Sequence, residues 1–128
     1  MKTDRFIALV YNDCPELNPD TVHQATLITL DTLCEHLPAG QARDMASQLP
    51  DEIADAVQGG GDRADTTDVP IELEAFYDKL MFRTELDEGQ TRTLAHSIAR
   101  TLAEALSEGE TGQAALELPP QLDKLLAA

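Results

Sequence analysis

The chain has 128 residues, with 24 acidic side chains against 9 lysines and arginines, for a net charge of −15. Phosphate backbones and anionic lipid surfaces repel such a chain, so nucleic-acid and membrane binding are poor fits. Apolar residues supply 42% of the chain, mostly Ala and Leu with no Trp, which favours helices with one shared core over an extensive sheet.

Near the N-terminus, the apolar run FIALVY within a helix over about 4–12 is far short of a signal-peptide core, and Asn12 and Asp13 end it. No stretch approaches the roughly 20 apolar residues of a membrane span. Two cysteines, Cys14 and Cys34, make no disulfide framework. The expectation is a soluble cytoplasmic protein with reduced thiols.

Asn18 followed by Pro19 starts a long helix over about 19–36. At 100° per residue Val22, Thr26, Leu30, Leu33 and Leu37 share one stripe, flanked by Leu27 and Cys34. Pro38 opens a third helix over about 38–48, and Pro50 with Asp51 and Glu52 opens a fourth over about 50–58. QGGGDRADTTDVP then reads as a connector, with residues 59–69 as a linker, for its glycines, aspartates and lack of apolar periodicity.

After the linker a helix over about 70–82 carries Phe76, Tyr77 and Phe82. Asp87 with Gln90 starts a second long helix over about 88–105, with Ala95, Ile98, Ala99, Leu102, Ala103 and Leu106 on one stripe. Ser107 with Glu110 reads as a capping box for a helix over about 108–117, and the last helix covers about 119–127.

The two halves echo one another. HLPAGQARDMASQLPDEI, from His36 to Ile53, matches ALSEGETGQAALELPPQL, from Ala105 to Leu122, at an offset of 69 residues. The offset pairs Leu49 with Leu118, Gly40 with Gly109 and Asn18 with Asp87. The reading is a single all-α domain over 1–128, a bundle of about eight short helices in pseudo-symmetric repeats 4–58 and 70–127.

Glu35-His36-Leu37-Pro38 together with Gln48-Leu49-Pro50-Asp51-Glu52-Ile53, repeated more loosely after an acidic linker, resembles a bacterial family catalogued as domain of unknown function 2267. The resemblance spans Phe6 to Leu126. It implies a duplicated, all-helical bacterial domain, and it brings no established activity and no catalytic residue. The linker here lacks the aromatic residues often found in the family.

His23 lies on the apolar stripe of the first long helix with Cys34, which makes the two candidates for a cavity between the halves. Cys34, Glu35 and His36 diverge by about 100° per residue and cannot converge on one ion, with Cys34 toward the core and Glu35 toward water. No C-x-x-C or H-x-x-x-H pair is present, and Asp20-Thr21-Val22-His23 has no twin in the second half, so no metal is expected. Asp62, Asp65 and Asp68 have the wrong spacing for calcium. His96, between Arg92 and Arg100, reads as a rim histidine.

Ile28 points away from the main stripe; exposed together with Leu27, Phe76, Tyr77 and Phe82 it would form a docking patch. With no catalytic constellation and no cofactor signature, the leading expectation is a non-catalytic interaction or scaffold module, binding a protein partner or itself. The alternative is a small-ligand binder or enzyme using an inter-half cavity near His23 and Cys34.

Overall fold

The structure is a computed structural model that describes residues 1–37, 39–67, 71–108 and 120–127. Among these residues there are seven α-helices and no strand: α1 (Thr3–Asp13), α2 (Pro19–Cys34), α3 (Ala39–Ala46), α4 (Asp51–Thr67), α5 (Leu73–Thr84), α6 (Glu88–Glu108) and α7 (Pro120–Ala127). The all-α bundle expected from composition is what the chain forms.

α2 sits at the centre, touching α1, α4, α5 and α6. Its start follows from local chemistry: the Asn18 side chain accepts from the Asp20 amide at 2.8 Å, and Pro19 fills the first helical position. Being surrounded, α2 buries more than one stripe: Val22, Ala25, Thr26, Thr29, Leu30, Thr32, Leu33 and Cys34 are all inside. Three of these are threonines, whose hydroxyls would be costly to bury unpaired. Each donates to the carbonyl four residues earlier: Thr26 to Val22 at 2.7 Å, Thr29 to Ala25 at 2.7 Å and Thr32 to Ile28 at 2.8 Å.

α6 begins with a reciprocal cap. The Gln90 amide donates to Asp87 Oδ1 at 2.7 Å, and the Asp87 amide donates to Gln90 Oε1 at 3.1 Å. Its buried face carries Leu94, Ala95, Ile98, Ala99, Leu102, Ala105 and Leu106, so the expected stripe is correct except at Ala103, which is half-buried. α1 lies along α6 and inserts Phe6 and Val10, one turn apart and fully buried. α7 closes on α6 through Leu125.

The largest departure from expectation is in α4. Residues 59–67, read as linker, continue the helix begun at Asp51. Ile53, Val57, Gly60 and Gly61 are buried at spacings of four, three and one, which is a helical face. Its glycines are contact residues. A Cβ on Gly60 would overlap the Asp31 carbonyl and stand 3.0 Å from Cys34 Cβ, and one on Gly61 would stand 2.5 Å from Ala42 Cβ. Glycine therefore lets α4 approach both α2 and α3 more closely than any side chain would permit.

Two smaller corrections concern helix ends. α2 stops at Cys34 and tightens into i→i−3 bonds, from the His36 amide to Leu33 O and from the Leu37 amide to Cys34 O. α6 runs on through Ser107 to Glu108, so Ser107 is within the helix and does not start a new one. The expected helix over about 108–117 otherwise lies outside the described residues, as do Pro38 and Asp68.

Candidate functional site

Three helices meet in an ionic cluster on the α2–α4–α5 face. Asp31 on α2 and Glu35 at its C-cap stand one turn apart, Arg63 reaches over from α4, and Lys79 and Arg83 stand one turn apart on α5. Glu35 Oε1 accepts from Arg63 Nε at 3.0 Å and Nη2 at 2.6 Å, and Glu35 Oε2 accepts from Lys79 Nζ at 2.5 Å. Asp31 Oδ1 accepts from Arg63 Nη2 and from Arg83 Nη1, the latter at 3.0 Å. Arg83 also donates to Thr32 Oγ1, and Lys79 Nζ lies 3.4 Å from His36 Nε2.

Glu35, expected to face water, is only 8% exposed. Burial alone would raise its carboxyl, but hydrogen bonds and charge from Lys79 and Arg63 outweigh that and hold it below its ordinary value of 4.5. Arg63 is pushed upward by its bonds to Asp31 and Glu35. Fully charged on both sides, the cluster ties α4 and α5 to α2.

Beside this cluster lie two open clefts that share Ile28 and Arg83 as their common wall. One, of about 310 Å³, runs past Asp20, Gln24 and Thr84. The other, of about 350 Å³, runs past Leu27, Asp55 and Ala56. Both are lined by more apolar than polar surface. Asp20 and Asp55 have no side-chain partner among the described residues, whereas Glu52, at the rim of the second cleft, is paired with His23 Nε2.

The residues singled out by sequence are distributed unevenly over this face. Ile28 is half-buried in the wall between the clefts, and Leu27 lines one of them. Phe82 is 87% exposed. Phe76 and Tyr77 are buried, each 2% exposed, with ring centroids 6.2 Å apart, so they belong to the core and the five-residue patch does not form. The Arg92 guanidinium stacks on the Tyr77 ring at 4.5 Å and covers its outer face.

His23 and Cys34 are not brought together. They are three turns apart on α2, about 16 Å along its axis. His23 is half-exposed and turned to Glu52; Cys34 is fully buried under α4, its thiol pushed up to about 12 by burial and the nearby Asp31 charge. Gly60 packs closely over Cys34, where a Cβ would stand 3.0 Å from Cys34 Cβ.

A sequence model of one protein family, described as "Uncharacterized conserved protein (DUF2267)", matches residues 3–125. The chain belongs to the DUF2267 family. No curated protein and no solved structure matches it. Membership reaches from the first residue of α1 into α7, so the ionic cluster and both clefts lie within the family's own domain.

Elsewhere in this DUF2267 chain, Asp13 at the end of α1 accepts from Ser97 Oγ at 2.6 Å and from Arg100 Nη2 at 2.6 Å, both on α6. The Ser97 bond, opposed by burial and joined by Arg100 and His96, holds the Asp13 carboxyl below its ordinary value. His96 and Ser97 are neighbours on the helix and diverge by about 100°, so the three do not make a nucleophilic triad. Arg92, Arg100 and Asp13 line the adjoining groove already engaged in ion pairs. Among the described residues no group of three or more His, Cys, Asp or Glu stands where it could hold a metal ion. No helix there is long and apolar enough to cross a membrane.

Sequence reasoning missed Asp31, Arg63, Lys79 and Arg83, and misplaced Glu35. The available signal was spacing. Asp31 with Glu35, and Lys79 with Arg83, are like-charge pairs at i,i+4, unfavourable on an isolated helix and a sign that each pair faces opposite charge on another.

Proposed function

We propose that the protein is a non-catalytic interaction module that holds a basic amphipathic helix of a partner protein across the α2–α5 and α2–α4 clefts. The observation that carries the reading is the pairing of an apolar wall at Ile28 with carboxylates at Asp20 and Asp55 on either side, neither of which has a side-chain partner among the described residues. An apolar helix face would seat against Ile28 and Leu27, and lysines or arginines beside it would meet the two aspartates. The net charge of −15 adds long-range attraction for such a segment and disfavours a second copy of the chain. The module is proposed to work in a bacterial cytoplasm, a reading that its two free cysteines support because they suit a reducing compartment. The two halves are read as products of a duplication, supported by the matching capped starts of α2 and α6.

The test is fluorescence anisotropy with a labelled helix-forming peptide of alternating leucine and lysine faces, beside a scrambled version and a glutamate-for-lysine version. Wild-type protein is expected to bind the amphipathic basic peptide, with Ile28→Lys weakening it by roughly tenfold or more at unchanged melting temperature. Asp20→Asn with Asp55→Asn is expected to reduce both affinity and its salt dependence. Equal binding of the scrambled peptide, or equal binding by Ile28→Lys, would reduce the interaction to unspecific charge attraction. Sedimentation showing a tight dimer through this face would replace the partner by a second copy.

A further inference from the structure

The C-terminal half of α4 is helical for reasons that do not lie in its own sequence. Gly59, Gly60 and Gly61 in succession are intrinsically much poorer helix formers than three alanines would be. Two features hold it. Gly60 and Gly61 admit close contact with Asp31, Cys34 and Ala42. Arg63, one turn beyond Gly59 and bonded to the Gly59 carbonyl at 3.2 Å, clamps both Asp31 and Glu35 of α2. The N-terminal half is anchored differently, by Ile53 and Val57 inserted fully into the core.

We propose that α4 from Gly59 onward is a salt-sensitive latch, which opens without unfolding the bundle and uncovers the Asp31–Cys34–Glu35 strip of α2. The strip beneath carries two carboxylates one turn apart and, to the buried side of them, the Cys34 thiol. Arg63 is 45% exposed, so dissolved ions compete for its contacts, whereas Ile53 and Val57 are unaffected by them. Lys79 and Arg83 keep their hold on Glu35 and Asp31 when Arg63 leaves, so α5 stays in place. Opening therefore costs the Arg63 contacts and the glycine packing while the main core remains closed.

Thiol labelling resolved by peptide mass spectrometry tests it, with Cys14, buried at the end of α1, as the internal reference. Cys34 is expected to label through an opening that hardly depends on urea below the unfolding transition, while Cys14 labels with the full urea dependence of global unfolding. Raising sodium chloride from low to molar concentration is expected to speed Cys34 labelling even as it raises the global midpoint, because screening relieves the repulsion of a −15 chain. Arg63→Gln is expected to accelerate Cys34 labelling roughly tenfold with Cys14 unchanged. Gly59→Ala, which leaves the contacts intact, is expected to slow it about fourfold by favouring helix. Hydrogen exchange should show peptides from residue 59 onward exchanging faster than 51–58. Equal urea dependence for the two thiols, or equal shifts of both in Arg63→Gln, would overturn the latch.

Discussion

The backbone of Gly60 lies directly against the backbone of Asp31: a Cβ on Gly60 would overlap the Asp31 carbonyl oxygen and stand 2.9 Å from its carbonyl carbon. The partner atoms are backbone inside a packed helix and cannot rotate away, so this contact fixes how near α4 and α2 can run.

Substitutions along the glycine run should therefore differ in sign. Gly60→Ala is expected to lose about 1–3 kcal/mol, overpacking outweighing the gain in helix propensity. Gly59→Ala meets only Asp31 Oδ2, at 3.4 Å, and Gly40→Ala in α3 meets nothing within 4 Å. Both are expected to stabilise by about 0.5–1 kcal/mol. Urea denaturation midpoints at constant slope make the comparison; a stabilising Gly60→Ala would show that α4 does not approach α2 in this way.

The ionic cluster predicts an acid-sensitive contribution to stability. Because the folded Glu35 carboxyl is held below its ordinary value of 4.5, its contribution is fully present above that pH and is lost as the pH falls below it. Glu35→Gln should lower stability at pH 7 by about 1–2 kcal/mol, a figure discounted for the exposure of Arg63 and Lys79. The gap from wild type should narrow as the pH is lowered below 4.5, as read from denaturant melts run from neutrality down to about pH 3, roughly one unit below the ordinary carboxylate values. A constant gap would mean that Glu35 acts through packing alone.

The two aromatic positions on α5 should separate core from surface. Phe76→Ala is expected to cost about 3–5 kcal/mol, the usual loss for a buried ring. Phe82→Ser, at a side chain exposed to 87%, is expected to change stability by no more than about 0.5 kcal/mol and to raise solubility. Thermal melts of the two variants suffice, and a large loss for Phe82→Ser would contradict its exposed position.

Much of this architecture was legible in particular residues. Asn18-Pro19 and the Asp87–Gln90 pair mark the starts of α2 and α6 because capping is a contact between residues two or three positions apart, complete within the local sequence. The stripes from Val22 to Leu33 and from Ala95 to Leu106 were readable because apolar side chains at helical spacing have one reasonable destination. The candidate site was far less legible. His23 and Cys34 share a stripe in projection yet lie about three turns apart and meet different neighbours. Glu35 read as a solvated acid because nothing within four residues of it announces Arg63 or Lys79, 28 and 44 positions away.

Sequence by itself determined that the chain is a helical bundle, where α2 and α6 begin, and which faces of these two are apolar, since each of these is settled by interactions within a turn or two of helix. The tertiary structure alone decided that the glycine run is helix and not linker. Glycine carries no apolar side chain to show a pattern, and its value here, the absence of a Cβ where Asp31 and Ala42 press in, exists only once α2 and α3 are in place. Tertiary structure likewise turned Asp31, Glu35, Arg63, Lys79 and Arg83 from scattered surface charges into one cluster, because the energy of an ion pair depends on distance in space and not on separation along the chain.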